Sequence, residues 1–315
     1  LEKYENSDLK EIEEEVYTSK NSIYGDMSLF EEYISPDTPE FVKKRIETFI
    51  LILALCNSVY PETTDKGLIY QGNSPDDLAL VNAAKQFGIV YSEKNKNIVH
   101  INNEILQKVN EYEILVDIPF DSERKRQSIA VRNNETQEIL LLTKGADTVV
   151  SKIIDWKNDN NSSSKNILNN NINLNDINEL IKKLCCQGLR CMLLGYKKIN
   201  NADWEAWHKE YLILKERNKD LTKIYEKLEK KMHYCGVTAI EDKLQEGVGR
   251  TLTNLMNCNI RVWVLTGDRE DTAIEIGRSC KLINDEMNII KLNSTVTYEL
   301  EQQIMQLLID FKLLS

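Results

Sequence analysis

Three short apolar runs decide the fold in the middle of the chain: Ile114-Leu-Val-Asp-Ile118, Ser128-Ile-Ala-Val131 and Glu138-Ile-Leu-Leu-Leu142. Turn-like Asn-Asn and Pro residues separate them. Short apolar runs bounded by turn residues are typical of strands joined by tight connections. The segment from Ile98 to Val150 is therefore predicted to form antiparallel strands.

Two motifs at the ends of these strands have the chemistry of a nucleotide site: Phe120-Asp-Ser-Glu-Arg-Lys-Arg126 and Lys144-Gly-Ala-Asp147. An adenine stacked on Phe120 would leave its phosphates within reach of Lys125. Lys144 is expected beside the same ring, and Gly145 permits a close backbone approach. Either motif alone is more typical of a charged hairpin end or an ordinary Lys-Gly turn. Because the two flank one hairpin, together they favour a nucleotide pocket.

The sequence before the strands predicts two helices. Between Pro39 and Val59, apolar residues recur at spacings of three and four, which indicates a buried helix. From Pro75 to Phe87, Ser74 can cap a second helix and Pro75 suits its first turn. Residues 1–35 are predicted to be an acidic lead-in, because their first half has many Glu and Lys and few large apolar residues.

An Asn-rich stretch follows the strands. Residues 158–178 contain ten Asn in twenty-one positions, so they are predicted to form a disordered surface insertion. Beyond it, the pattern predicts a helix from Ile177 to Cys186, a strand from Cys191 to Lys197 and one long helix from Tyr211 to Met232.

The C-terminal part is predicted to contain a β-α-β unit. Gly236 to Ile240 and Ile260 to Leu265 are β-rich, and an amphipathic helix with Val248 and Leu252 on one face lies between them. A right-handed crossover of this length would make the two strands parallel. Their carboxyl ends would then face a ligand crevice.

The loop after the second of these strands, Thr266-Gly267-Asp268, precedes a predicted helix from Glu270 to Cys280. It offers a hydroxyl, an N–H unshielded by a side chain and a helix amino end, all suited to a phosphoryl group. The carboxylate of Asp268 could orient a donor or a metal. Thr-Gly-Asp alone is more typical of a capped turn, but its place between strand and helix favours the phosphoryl interpretation.

The length, hydrophobic content and net charge of the chain limit the functions that it can have. The chain has 315 residues, 42% of them hydrophobic, which is enough for one large or two medium folded domains. The net charge of −10 argues against a surface designed for nucleic acid or an anionic bilayer, and no nucleic-acid partner is expected. The longest strongly apolar run, Phe49 to Cys56, is shorter than the roughly 20 residues of a membrane span. The start shows no secretory signal and no initiator Met, so we expect either a fragment of a longer protein or an unusual gene model.

Metal and redox chemistry have little support in the sequence. The seven cysteines have irregular spacing without a Cys-x-x-Cys pair, which is typical of reduced thiols. The three histidines are not spaced with Asp, Glu or Cys as a metal box. A metal site built by this chain alone is therefore not expected.

An ordered set of blocks resembles the type IV P-type ATPases, the phospholipid flippases. The likeness runs from Tyr24-Gly25 to Leu282. Its blocks are Asn73-Ser-Pro-Asp-Asp-Leu-Ala-Leu80, Phe120 to Ser128, Lys144-Gly-Ala-Asp147, Gly188-Leu-Arg190, the Trp204/Trp207 segment, Gly236-Val-Thr-Ala-Ile-Glu-Asp-Lys-Leu-Gln-Glu-Gly247, Val262-Trp-Val-Leu-Thr-Gly-Asp268 and Ile276-Gly-Arg-Ser-Cys-Lys-Leu282. The resemblance implies an α/β fold: an α+β nucleotide-binding domain with an antiparallel sheet, inserted in a partial haloacid-dehalogenase-like parallel α/β phosphorylation domain. Residues 36–234 would form the first domain and residues 235–315 part of the second.

The resemblance also implies roles for single residues. Phe120 would stack on adenine, Lys125, Lys144 and Gly145 would line the pocket, and Arg190 would hold the phosphates. Asp77 stands where the family usually has Glu near the base; it is one methylene shorter, so this contact would pass through water or be lost. Four more residues match phosphorylation-domain motifs near the transferred group: Asp242, Thr266, Gly267 and Asp268.

The implied function is that of the ATP-binding cytoplasmic region of a flippase. ATP and Mg²⁺ are the implied cofactors, and phospholipid and an accessory subunit are implied partners of the parent protein. The family phosphorylates an Asp in an Asp-Lys-Thr-Gly-Thr motif, which this chain does not contain, and the later Gly-Asp-Gly-x-Asn-Asp motif is absent too. The chain is therefore expected to bind nucleotide at the cytoplasmic face of a membrane without hydrolysing it.

The sequence supports two alternative functions to different extents. One is a catalytically inert nucleotide-sensing module of the same fold, fused to another enzyme such as a cyclase. The other, a stand-alone dehalogenase-type phosphatase, would need a nucleophilic Asp at the end of an apolar strand near the start, and the sequence shows none.

Overall fold

The computed structural model describes residues 28–65, 67–156, 174–241, 243–284, 286–292, 294 and 296–310. The chain divides into two compact units, Leu1–Asp242 and Lys243–Ser315. Most of the predicted acidic lead-in lies outside the described residues, and its last part, Ser28–Ile34, forms helix α1 with Phe30 and Tyr33 buried.

A seven-stranded antiparallel sheet forms the frame of the first unit, and its strands follow one another in chain order. They are β3 (Ile89–Asn95), β4 (Ile98–Asn103), β5 (Lys108–Asp121), β6 (Arg126–Asn133), β7 (Ile139–Gly145), β8 (Leu189–Ile199) and β9 (His233–Glu241). A separate hairpin contains β1 (Tyr60–Thr64) and β2 (Gly67–Gln71). The predicted antiparallel strands between residues 98 and 150 are confirmed.

Helices α2 (Glu40–Leu55) and α3 (Pro75–Gln86) pack with α1 against one face of this sheet. Ser74 caps α3 by accepting a hydrogen bond from the N–H of Asp77 at 3.2 Å, with Pro75 in the first turn. Both predicted helices are confirmed. Their apolar stripes form one hydrophobic core together with one set of alternating sheet residues, which includes Ile129 and Leu142.

The other face of the sheet carries a second core. It contains the alternate sheet residues, such as Ala130 and Leu141, and helices from the second half of the unit. These helices are α4 (Asp147–Ile153), α5 (Leu174–Cys185), α6 (Asn201–Glu216) and α7 (Thr222–Leu228). Most of the predicted disordered insertion lies outside the described residues, but its last residues, 174–178, begin α5.

The prediction of one long helix from Tyr211 to Met232 is wrong. The helix α6 begins earlier, where the side chain of Asn200 accepts the N–H of Asp203 at 2.8 Å, and ends before Arg217. Asn218 then adopts a left-handed conformation with φ of 48°, which turns the chain into α7. The apolar periodicity continued across this turn because both helices bury one side against the same core.

The second unit contains α8 (Val248–Asn257), α9 (Glu270–Ser279) and α10 (Thr297–Asp310), and the predicted helices here are confirmed. The predicted parallel β-α-β unit is wrong. Residues 236–240 belong to β9, which pairs antiparallel with β8, and residues 260–265 form no strand. Trp263 and Leu265 are 81% and 94% exposed, because no neighbouring strand covers them among the described residues. None of the described helices combines the length and apolar character needed to cross a bilayer.

Candidate functional site

One edge of the seven-stranded sheet, where strands end and their neighbours begin, carries half of the ten predicted site residues. In an antiparallel sheet the end of each strand lies beside the start of its neighbours, so β5, β7 and β9 end at the edge where β6 and β8 begin. The register shows this directly, since Arg126 lies opposite both Asp121 and Gly145, and Gln127 lies opposite Lys144. This edge carries five of the predicted residues: Phe120, Lys125, Lys144, Gly145 and Arg190.

The ammonium of Lys144 forms a buried ion pair with the carboxylate of Asp77. The second carboxylate oxygen accepts hydrogen bonds from the N–H and the hydroxyl of Ser58, at 3.0 and 2.8 Å. Burial by itself would raise the pKa of Asp77, but Lys144 and the two Ser58 donors outweigh it and lower the pKa below the ordinary value. Asp77 is therefore ionised, and the two predicted ligand contacts neutralise each other.

A second ion pair joins the amino end of α3 to the same edge of the sheet. Asp76 Oδ1 lies 3.5 Å from Arg190 Nη1, and both side chains are partly exposed. A phosphate would compete with this carboxylate for the guanidinium, because both offer bidentate oxygens. Arg190 therefore lies at this edge and forms an ion pair with Asp76.

The β5–β6 hairpin presents the predicted aromatic ring and one cation to solvent. Phe120 is 64% exposed, and Lys125 is also exposed. Asp121 shapes the turn, because its Oδ1 accepts the N–H groups of Glu123 and Arg124 at 2.8 and 2.9 Å, which lowers the pKa of Asp121. Lys125 adopts a left-handed φ of 47°, with its N–H bonded to the Asp121 carbonyl at 2.6 Å.

Gly145 is required by the neighbouring strand. A Cβ on this residue would lie 2.5 Å from the carbonyl oxygen of Lys125 and 2.6 Å from the Cβ of Arg126, distances that real Cβ atoms do not adopt. The next residue, Ala146, donates its N–H to the Lys125 carbonyl at 3.0 Å. A close backbone approach at Gly145 therefore exists, and it is made by the backbone of the β5–β6 hairpin.

The three basic residues of this hairpin, Arg124, Lys125 and Arg126, do not share one environment. Both arginines are buried against Glu229, and Lys125 between them is exposed. Glu229 was not predicted as part of the site, since it belongs to no motif and lies 105 residues from Arg124. No local signal in the sequence pointed to it, because Arg124 and Lys125 lie in the turn before β6, where the alternation of strand side chains does not apply.

The second unit holds the predicted Thr266-Gly267-Asp268 loop, directly before α9. Thr266 Oγ1 donates to Asp268 Oδ2 at 2.8 Å and accepts the Asp268 N–H at 3.1 Å. No atom lies within 4 Å of a Cβ added at Gly267, so this backbone is open to approach. Asp242 lies outside the described residues.

A cavity of about 680 Å³ lies at the opposite edge of the sheet, beneath α2. Its walls include Glu47, Asn103, Tyr112 and Tyr234, and none of the predicted site residues lines it. The described residues contain no group of three or more His, Cys, Asp or Glu side chains that could hold a metal ion. The predicted site residues of the first unit therefore lie away from this cavity, at the edge that carries Phe120 and Lys144.

Comparisons with known proteins identify the family of this chain. A family model described as "P-type ATPase, cytoplasmic domain N" matches residues 45–247. The chain therefore belongs to the P-type ATPases, and the matched part is their cytoplasmic domain N.

The relatives are phospholipid-transporting members of this family, which confirms the resemblance seen in the sequence. Phospholipid-transporting ATPase IC of Xenopus tropicalis is 39% identical over 251 residues, which cover 78% of this chain and 19% of that protein. Human phospholipid-transporting ATPase IC is 34% identical over 89% of this chain and 22% of its own length. Phospholipid-transporting ATPase 6 of Arabidopsis thaliana is 36% identical, over 81% of this chain and 20% of its length. The chain thus spans about a fifth of the relatives it matches.

Proposed function

We propose that this chain is the ATP-binding region of an ATP-driven phospholipid translocase. The observation that carries the proposal is the sheet edge that holds Phe120, Lys125, Lys144 and Arg190 together with the amino end of α3. An exposed aromatic ring and cations at one edge suit a purine base and its phosphates. Membership of the P-type ATPases supports the same ligand.

Each residue has a role that follows from its surroundings. The exposed ring of Phe120 would stack on adenine, and the exposed ammonium of Lys125 would meet the phosphates. Arg190 would exchange the carboxylate of Asp76 for a phosphate oxygen. Because Lys144 is neutralised by Asp77, this pair offers the base a fixed polar wall rather than a free positive charge.

The reaction itself is proposed for the parent protein. There the γ-phosphoryl group of ATP would pass to an Asp outside this chain, and the aspartyl phosphate would drive lipid movement from the cytoplasmic face of a membrane. Mg²⁺, which the family implies, would neutralise charge on the phosphates, and no described residue is assigned to hold it. Asp242, Thr266, Gly267 and Asp268 are proposed to serve this transfer as part of a phosphorylation domain. An accessory subunit stays a proposal drawn from the family alone.

The first prediction tests the aromatic platform. Phe120→Ala should weaken ATP binding to the 315-residue chain by roughly tenfold, since stacking on an aromatic side chain contributes about 1–3 kcal/mol per base. Phe120→Trp should retain binding because it keeps a stacking face. Isothermal titration calorimetry measures both affinities, and phosphate release should stay at background throughout.

Phe41→Ala is the matched control. Phe41 is also an exposed aromatic residue, but it lies on α2 beside the cavity at the opposite edge. Its replacement should leave ATP affinity unchanged. An equal loss for both variants, or no binding by the unaltered chain, would reject the proposed site.

A further inference from the structure

The hairpin between β5 and β6 rests on a buried carboxylate. Glu229 follows α7 and is 0% exposed. One of its oxygens contacts the guanidinium of Arg124 and accepts the hydroxyl of Ser128 at 2.6 Å. The other accepts the Nε–H of Arg126 at 2.8 Å, with Nη2 of the same side chain at 2.6 Å. Both oxygens are therefore occupied by donors from the hairpin and from β6.

The two arginines connect Glu229 to the hairpin backbone by donating hydrogen bonds to its carbonyl groups. Arg124 Nη1 donates to the carbonyl of Pro119 at 3.4 Å, and Arg126 Nη1 donates to the carbonyl of Arg124 at 3.2 Å. Phe120 directly follows the first of these carbonyls, and Lys125 lies between the arginines. The carboxylate thus holds the chain on both sides of the two exposed residues proposed to meet ATP.

The carboxylate is itself fixed from the helical side. The indole N–H of Trp207 on α6 donates to the carbonyl of Ile224 on α7 at 2.9 Å. The guanidinium of Arg124 also lies over the ring of Tyr225, 5.5 Å from its centroid. These contacts fix the position of α7 against α6. They also fix the position of Glu229, at the end of α7, beneath the hairpin.

Stability alone does not account for this arrangement. Buried charges lose their hydration, and well-packed apolar side chains of similar size are often as stabilising as a buried ion triad. What a buried carboxylate provides in addition is a fixed position for specific polar partners. Lys125 needs such support, because a left-handed φ in a residue other than Gly persists only when its surroundings determine it.

We propose that Glu229 is a positioning residue of the nucleotide site, which holds the β5–β6 hairpin so that the ring of Phe120 and the ammonium of Lys125 are preorganised for ATP. This inference rests on the proposed function. Preorganisation raises affinity because the ordering cost is met before the ligand arrives. Glu229 acts through Arg124 and Arg126 and does not itself touch the nucleotide.

The test compares Glu229→Gln and Glu229→Asp with the unaltered 315-residue chain in calorimetric titrations with ATP. Glu229→Gln should weaken binding by about tenfold, and Glu229→Asp, which keeps the charge, should recover part of the loss. Glu47→Gln is the matched control, since Glu47 also accepts two hydrogen bonds at 3.2 Å, from Tyr33 and Asn103, at the opposite edge of the sheet. It should leave ATP affinity unchanged.

Hydrogen exchange without ATP separates positioning from a general loss of stability. In Glu229→Gln the amides of Glu123, Arg124 and Lys125 should exchange faster, while the amides of β3 and β4 keep their protection. If the folded variant keeps both its ATP affinity and its hairpin protection, the inference is overturned. If the unaltered chain binds no ATP, the proposed function fails, and the exchange experiment still decides whether Glu229 holds the hairpin.

A second variant covers the case in which Glu229→Gln does not fold. Arg124→Lys keeps a cation beside Glu229, but a single ammonium cannot reproduce the fork that reaches both the carboxylate and the Pro119 carbonyl. It should weaken ATP binding and speed exchange at the hairpin. Unchanged affinity and unchanged exchange in this variant would equally overturn the inference.

Discussion

The ammonium of Lys144 lies against the carboxylate of Asp77 in the interior of the first unit, 67 residues away along the chain. At the scale of single residues this contact changes what the site offers a nucleotide. The sequence predicted two separate ligand contacts, whereas the pair is neutral as a whole. The positive charge available to phosphates therefore comes from Lys125, which is exposed, and from Arg190, which is partly exposed.

Removing the negative partner should destabilise the fold strongly. Asp77→Asn is expected to lower the free energy of unfolding by about 3–5 kcal/mol, because it leaves the buried ammonium of Lys144 without its counter-charge. Asp76→Asn is the matched control, since the adjacent carboxylate forms a partly exposed pair whose loss should cost about 1 kcal/mol or less. Urea unfolding followed by circular dichroism gives both values. Similar losses would show that the Asp77 pair is not a buried structural contact.

The lowered pKa of Asp77 also predicts a pH dependence. A carboxyl whose folded pKa lies below its unfolded value contributes its full stability above the unfolded value of about 3.9. This contribution is lost as the pH falls through the lowered folded pKa. The free energy of unfolding should therefore fall more steeply on acidification in the unaltered chain than in Asp77→Asn. Parallel pH profiles from urea titrations would contradict the assignment.

At the scale of the elements, the close contact between β6 and β7 sets the shape of the binding edge. Gly145→Ala should lower the free energy of unfolding by about 1–3 kcal/mol, because the new Cβ would overlap the Lys125 carbonyl and Arg126. ATP affinity should fall as well, since the hairpin must move to make room. Thermal unfolding and titration calorimetry measure the two effects.

Gly195→Ala in β8 is the control for that substitution. Its added Cβ would lie 3.3 Å from the carbonyl oxygen of His233, a contact that a small shift relieves. Gly195→Ala should lower the free energy of unfolding by less than Gly145→Ala does, and it should leave ATP affinity unchanged. The reverse order of stabilities would show that the space at Gly145 is not limiting.

The elements also show which sequence patterns were reliable. The cap at Ser74 and the spacing of apolar residues in α2 depend on neighbours within a turn or two, so both helices were predicted correctly. The turn at Asn218 was missed because the apolar period ran through it, although Asn is one of the residues that most readily adopt the left-handed conformation at the end of a helix. The antiparallel strands followed from their short apolar runs and turn residues.

At the scale of the whole molecule, the two hydrophobic cores found among the described residues both lie within the first unit. Both hydrophobic cores consist of residues before 242. A chain that ends at residue 242 is therefore expected to keep the seven-stranded sheet and its thermal unfolding transition within a few degrees of that of the full chain. Differential scanning calorimetry of the two chains tests this. Loss of the cooperative transition on truncation would show that the first unit is not self-sufficient.

The amino-acid sequence by itself determined helices α2, α3, α8 and α9, the antiparallel strands between residues 98 and 150, and the family, because caps, turns, apolar periods and motifs are recorded in short stretches of chain. Only the tertiary structure decided that Asp77 neutralises Lys144, that Glu229 holds the hairpin arginines, and that residues 260–265 form no strand and leave Trp263 and Leu265 exposed. Each of these outcomes depends on which distant group, if any, packs beside a residue. A β-rich segment becomes a strand only where a neighbouring strand meets its backbone, and an ion pair forms only where folding brings the two charges together.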